Sequence, residues 1–339
     1  MTDLATDLAR LATADDLPLR GFLPLGSFGV NVAAGRPEYA ATLDLLFRQR
    51  VTASPRRPDD AIAARLQLRP CAADDPLFTL GRPVEDGAPA AWQALDGGWS
   101  TLGTGRFRVF LRATRHPADV VCLVREPQWS ERAFRDHLFE IVCKVLFAFD
   151  RFYVHAAAVE LHGRVHVFVG RGSFGKSTTC LTLARAGATI LSEDHVLFAR
   201  DGDGFVVSGC QETARVTEKT ERFLFPAPLD AAPEAHTGVL KKEFRVADHF
   251  ACRPYVDHGF ESIFFNHVGT TFRIREMPRQ EAMLGLFYMT KSFFRASRPA
   301  DYDRYLDYFA ALVQGRSCYE LELSPDLGDL AQLVRFLGA

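Results

Sequence analysis

The sequence predicts an α/β protein, and three observations carry that prediction. Short apolar strands follow one another from residue 152 onward. A glycine-rich loop at residues 170–177 leads from one of them into a helical pattern, and two further helical patterns precede a last strand near residue 320. The chain has 339 residues, more than a usual single domain, so two lobes are expected, residues 1–150 and residues 151–339.

In the first lobe, Phe107-Arg108-Val109-Phe110-Leu111 largely alternates apolar and polar residues. His116-Pro117-Ala118-Asp119 supplies turn residues ahead of Val120-Val121-Cys122-Leu123-Val124, which makes a β-hairpin. Residues 53–58 and 85–89 are loop-like. Between residues 131 and 150, Phe134, Leu138, Ile141, Val142, Val145 and Leu146 recur at three- and four-residue spacing and define one face of a helix.

The second lobe opens with strand 152–161, a turn at His162-Gly163 and the apolar strand 164–169. A helix over 177–186 then places Leu181 and Leu183 inward, with Gly187 as its left-handed cap. Strand 188–192 comes next, then a hairpin at Asp201-Gly202-Asp203-Gly204, strands 259–267 and 270–274, helices 280–297 and 301–315, strand 318–323 and a final helix.

Composition narrows the function classes. Hydrophobic residues make up 47% and charged residues 24%, which excludes a disordered chain. With 40 Lys plus Arg against 42 Asp plus Glu, the net charge is −2 and no long run of one sign occurs, so neither a nucleic acid nor a membrane is expected as a partner. The first residues carry early acids and no apolar segment, and the expectation is a cytoplasmic protein. Seven scattered cysteines without a CxxC pair suit reduced, mostly buried thiols.

The chemistry centres on Gly170-Arg171-Gly172-Ser173-Phe174-Gly175-Lys176-Ser177, which satisfies GxxxxGK[ST]. Glycines let successive N–H groups turn toward phosphate oxygens, and the N-terminus of the following helix, at Ser177 and Thr178, adds a favourable dipole. Lys176 would reach the β and γ phosphates of a nucleoside triphosphate, ATP or another, and Ser177 would place its hydroxyl on Mg²⁺. Just past strand 188–192 stand Glu193 and Asp194. Two adjacent acids at the end of a buried strand are costly unless a cation offsets them, and Mg²⁺ is the expected partner.

The stretch His155-Ala156-Ala157-Ala158-Val159, Gly163, the glycine-rich loop and Gly187-Ala188-Thr189-Ile190-Leu191-Ser192-Glu193-Asp194 together resemble the catalytic core of the HPr kinase/phosphorylase family over about 45 residues. The resemblance implies a P-loop core of mixed sheet and helices, similar to that of phosphoenolpyruvate carboxykinase, with a smaller β-rich α+β lobe at the N-terminus. It implies a kinase that moves the γ-phosphoryl group of ATP to a hydroxyl acceptor: a serine of a protein or peptide, or a small metabolite. Position by position, it makes Lys176 the phosphate residue, Ser177 and Asp194 the metal residues, Glu193 the base for the attacking hydroxyl and His155 the histidine assisting that carboxylate. Two residues depart from the family pattern: Glu193 stands for an aspartate, and Gly172-Ser173-Phe174 reverses the usual Ser-Gly order. The family's hexamers raise homo-oligomerisation as a further expectation. The rival readings are a nucleotide-sensing regulator without turnover and a plain NTPase.

Outside the core, Lys241, Lys242 and Arg245, with Arg215, are candidate phosphate contacts. His249, His258 and His267 recur at nine-residue intervals but match no compact metal-ligand spacing. The aromatics Phe287, Tyr288, Phe293, Phe294, Tyr302, Tyr305 and Phe309 suit core packing better than base stacking.

Overall fold

The computed structural model describes residues 4–25, 28–47, 62–72, 74–78, 80, 93–103, 107–113, 117–125, 138–139, 142–143, 145–147, 149–236, 238–290 and 299–338. It is mixed α/β and divides into two compact units, Met1–Arg151 with Ser292–Arg304, and Phe152–Lys291 with Tyr305–Ala339. Among the described residues no helix is long and apolar enough to cross a membrane.

The first unit carries helices α1 (Leu4–Thr13) and α2 (Pro37–Phe47). Its strands are β1 (Leu19–Leu25), β2 (Phe28–Ala34), β3 (Ile62–Cys71), β4 (Gln93–Ala94), β5 (Ser100–Gly103), β6 (Phe107–Arg112) and β7 (Ala118–Arg125). They form one sheet in the order β1-β2-β3-β7-β6-β5-β4. The hairpin read from the sequence is β6 and β7, antiparallel from Phe107 opposite Val124 to Arg112 opposite Asp119. Its alternation marks two buried faces: Leu8, Ala12, Phe78, Trp99, Phe110, Val121 and Leu123 cluster as one core. The fully buried Asp119 on that hairpin is compensated by Arg65 at 2.6 Å and by Arg112. Of the expected helix at 131–150, residues 138–139, 142–143 and 145–147 are helical, with Leu138, Val142, Val145 and Leu146 buried. Phe134, Ile141, the loops 53–58 and 85–89, and Phe293 and Phe294 lie outside the described residues.

The second unit is built on a nine-stranded sheet. It comprises β8 (Arg151–Leu161), β9 (Arg164–Val169), β10 (Thr189–Ser192), β11 (His195–Asp201), β12 (Gly204–Gly209), β16 (His258–Gly259), β17 (Ser262–Val268), β18 (Arg273–Glu276) and β19 (Ser317–Leu323). The order is β16-β12-β11-β8-β9-β17-β19-β18, with β10 paired to β8. Three neighbours, β9, β17 and β19, run parallel. A smaller sheet of β13 (Thr213–Val216), β15 (Val239–Arg245) and β14 (Glu234–His236) stands apart from this one. The helices are α3 (Lys176–Arg185), α4 (Glu218–Leu224), α5 (Arg279–Thr290), α6 (Pro299–Val313) and α7 (Leu330–Gly338).

Local chemistry explains the elements that carry the site. His162 and Gly163, both at positive φ, make the tight β8–β9 turn. α3 ends as its sequence requires: Gly187 takes φ +103, its N–H bonds the Ala184 carbonyl, and the Ala188 N–H bonds that of Leu183. Leu181 and Leu183 lie in the core with Phe168, Ile190, Phe264 and Leu321. Tyr305, Tyr308 and Phe309 of α6 pack on Phe152 at ring separations of 4.6–5.6 Å, so this part of the aromatic set is core.

Three differences from the sequence reading have physical causes. The expected strand 259–267 breaks after Gly259 because the Glu261 N–H and carbonyl are committed to Val165 and Ser317. The expected strand 270–274 starts late, at Arg273, after the Gly269 N–H has closed on the Leu323 carbonyl. The elements at 213–245 escaped prediction because β15, VLKKEFR, has one fully buried side chain and so lacks a two-residue apolar period.

Buried His166 bonds Ser262 through Nδ1 at 2.8 Å, and burial, with the nearby Arg164 charge second, lowers its pKa to about 4. As pH falls, the unfolded chain therefore takes up this proton first. Stability is complete above the ordinary value of 6.5 and declines through the window from 6.5 to 4, by up to about 3 kcal/mol. Urea unfolding across that window is expected to show a shallower decline for His166→Asn than for wild type; parallel curves would refute it.

Candidate functional site

Residues 170–177 carry the chain from the end of β9 into α3. Two glycines are required by what surrounds them. A Cβ on Gly170 would lie 2.9 Å from the Asn266 carbonyl oxygen of β17, and Gly175 takes φ +80 where a Cβ would lie 2.3 Å from Leu323 Cδ1. The reversed Gly-Ser order also has a structural meaning: Ser173 holds the left-handed angle, φ 65, while Gly172 has no positive φ and open space around its Cα. Arg171, Gly172 and Ser173 are exposed, and Phe174 is half-buried with its N–H on the Arg171 carbonyl.

Lys176 is buried at 5% exposure, and its Nζ donates to the carbonyls of Gly170 at 2.8 Å and Arg171 at 3.0 Å. The ammonium therefore spans the loop. No side chain caps the first turn of α3, which leaves the N-terminal end of its dipole facing the loop. An uncapped helix N-terminus of this kind is electrostatically suited to an anion.

The acids stand at the end of β10, where the pairing with β8 shifts register between Ile190 and Ser192. Ser192 Oγ then donates to the His195 carbonyl at 2.6 Å and closes a tight turn. Glu193 and Asp194 within that turn are both buried and meet different partners. Ser177 Oγ donates to Glu193 Oε1, while Asp194 Oδ1 lies 2.6 Å from His155 Nδ1 of β8. The imidazole expected to assist Glu193 is thus placed on Asp194. Below the acids, burial first and the Glu193 charge second push the Cys180 thiol well above its ordinary value, so it is no nucleophile.

Ser177 and Glu193 offer hard oxygen ligands, the donor type that suits Mg²⁺. Among the described residues no three His, Cys, Asp or Glu side chains are grouped to hold a metal on their own. A Mg²⁺ ion in a phosphate loop needs only one or two protein oxygens beside those of the phosphates, so the donor set fits.

Other expected contacts are placed elsewhere. Thr178 Oγ1 bonds Thr220 Oγ1 of α4 at 2.9 Å, so its hydroxyl fastens that helix. Lys242 Nζ meets Glu221 at 2.9 Å and the Leu229 carbonyl at 3.1 Å, and Arg215 bonds Glu243 at 2.6 Å; these two cations belong to structural pairs. Lys241 is half-buried and Arg245 exposed on β15. His249 packs edge-on against Phe225 and Phe244, His258 lies in β16 and His267 in β17 near Glu320 and Glu322.

Five residues of the site went unread in the sequence. Asn266, buried on β17, donates to Thr179 Oγ1 at 3.3 Å; Thr220 holds Thr178; and Tyr153 meets His195 beside Asp194. A polar residue ending the apolar run Ser262-Ile263-Phe264-Phe265-Asn266 was the available signal for Asn266, and the two-residue spacing from His155 was the signal for Tyr153.

No family model matches this sequence, and no curated protein matches it. Among solved structures, the Hpr(Ser) kinase/phosphatase from Coxiella burnetii is similar at 10% identity and a TM-score of 0.29, over 55% of this chain and 93% of that one. A likeness at that level is distant and assigns no residue a role here.

Gly175→Ala is expected to lower stability by about 2 kcal/mol or more, through the left-handed angle and the collision with Leu323. Gly172→Ala should stay within about 0.5 kcal/mol of wild type. Thermal unfolding of the two variants checks the contrast, and equal losses would contradict the loop geometry.

Proposed function

We propose that the second unit is an ATP- and Mg²⁺-dependent phosphotransferase of the HPr-kinase-like kind, moving the γ-phosphoryl group to a hydroxyl of a protein, peptide or small molecule. The observation that carries this reading is the division of labour between the two adjacent carboxylates, Glu193 on the phosphate-loop serine and Asp194 on a histidine.

The N–H groups of residues 170–178 other than that of Phe174, at the N-terminal end of α3, would hold the phosphates, and Lys176 would bridge to the β and γ oxygens. Mg²⁺, held by Ser177 and Glu193 together with phosphate oxygens, would offset the negative charge of the phosphates during transfer. Asp194, with its Oδ1 fixed by His155, would accept the proton of the acceptor hydroxyl. As that oxygen bonds to the γ-phosphorus, the bond to the bridging oxygen breaks and ADP departs with the electron pair, leaving the proton on Asp194. In this proposal the roles implied by the family resemblance are exchanged between the acids: Glu193 serves the metal and Asp194 the hydroxyl. The extra methylene of Glu193 then serves reach toward α3.

Lys176→Ala should lower phosphoryl transfer from labelled ATP by about a hundredfold or more while the fold is kept. Full activity in that variant would sink the proposal. ATP binding without consumption in the wild type, across serine peptides, small alcohols and water as acceptors, would instead favour a nucleotide sensor. The exchange of roles has its own test. Asp194→Asn should cut kcat by about a hundredfold or more at unchanged Mg²⁺ requirement, whereas Glu193→Gln should raise the Mg²⁺ concentration giving half-maximal rate; the opposite pattern would restore the family assignment.

A further inference from the structure

We infer that Tyr153 and His195 are positioning residues for Asp194; the inference rests on the reading of Asp194 as the proton acceptor. β8 alternates its side chains, so Tyr153 and His155 emerge on one face two residues apart. The buried Tyr153 hydroxyl meets Nδ1 of His195, the first residue of β11, and the two rings lie 5.3 Å apart. With the phenol O–H as donor and Nδ1 as acceptor, the arrangement we infer, the ring proton sits on Nε2, and Nε2 stands 3.7 Å from Asp194 Oδ2. On the other side, His155 Nδ1 stands 2.6 Å from Oδ1.

Each carboxylate oxygen of Asp194 therefore faces its own imidazole, and both imidazoles are referred back to β8, one directly and one through Tyr153. An aspartate carboxylate turns easily about its last torsion. A close contact at Oδ1 and an imidazole edge 3.7 Å from Oδ2 favour one plane of the group, which is what a base needs in order to meet a hydroxyl at hydrogen-bond distance. Buried tyrosines and histidines usually find polar partners, and a core hydrogen bond alone would satisfy both residues. The feature that goes beyond satisfaction is convergence, since His155 and the Tyr153–His195 pair stand at different oxygens of the same carboxylate.

The experiment uses the full chain and two readouts. Long-range ¹H–¹⁵N spectra of the imidazoles, assigned by the signals lost in His195→Gln, should show His195 in the Nε2–H form in the wild type and a mixture of tautomers in Tyr153→Phe. Consumption of MgATP, with whichever of serine peptides, small alcohols or water supports the fastest wild-type turnover, should show kcat about tenfold lower in Tyr153→Phe with KM for MgATP within about twofold. His195→Gln, whose amide can still donate toward Asp194, should retain more activity than His195→Leu. An unchanged tautomer, an unchanged kcat, or a loss that falls equally on kcat and KM with lowered thermal stability overturns the inference. Absence of MgATP consumption by the wild type with serine peptides, small alcohols and water alike overturns the functional reading instead, and the role of Tyr153 with it.

Discussion

The hydrogen bond from Ser177 to Glu193 joins the first turn of α3 to the end of β10, and it closes the site around a set of buried charges. Lys176, Glu193 and Asp194 are all under one-tenth exposed. Desolvating an ion costs several kcal/mol unless partners replace its water, so each needs fixed neighbours. Those neighbours come from different elements: loop carbonyls for Lys176, α3 for Glu193 and β8 for Asp194. The charges thus hold the elements in register as much as the elements hold the charges.

The surrounding scaffold is stiff in the places this arrangement demands. β9, β17 and β19 lie side by side in parallel, and the loop is pressed onto the second and third of them through Gly170 against Asn266 and Gly175 against Leu323. Asn266 also bonds Thr179, one turn into α3. On its other flank α3 is tied by Thr178 to α4, which is itself fixed by Glu221 to Lys242 of β15. Burial works to raise the Glu221 carboxyl, but the Lys242 ammonium and the Leu229 N–H outweigh it, and the group ends below its ordinary value. The cationic stretch of β15 thereby acts on the loop through packing, two elements away.

Much of the second unit could be read from sequence because local rules agree with the fold there. The β8–β9 turn, the loop, α3 with its Gly187 cap and the β11–β12 hairpin each need particular residues at particular φ values, and glycine or its neighbours announce them. The first unit showed less. Strand β3 pairs in parallel with both β2 and β7, at a sequence distance of about thirty to fifty residues, and no local pattern reports such pairing. In the site, sequence order identified Lys176, Ser177, His155 and both acids, but not which acid meets which partner. That depends on the register shift between Ile190 and Ser192, a feature of the pairing between two strands rather than of either one.

The register shift matters because consecutive residues in extended chain face opposite ways. An unbroken strand leading into residues 193 and 194 would already separate the two carboxylates, but it would not choose their targets. The bulge resets the phase of β10 just before its end, and the Ser192–His195 turn fixes the direction in which the chain leaves. Glu193 is then delivered to α3 and Asp194 to β8. Two carboxylates with like charge and unlike surroundings are the arrangement from which distinct chemical duties arise, because each is tuned by its own neighbours. In this chain the unlike surroundings are Ser177 beside Glu193, and His155 and His195, the latter meeting Tyr153, beside Asp194.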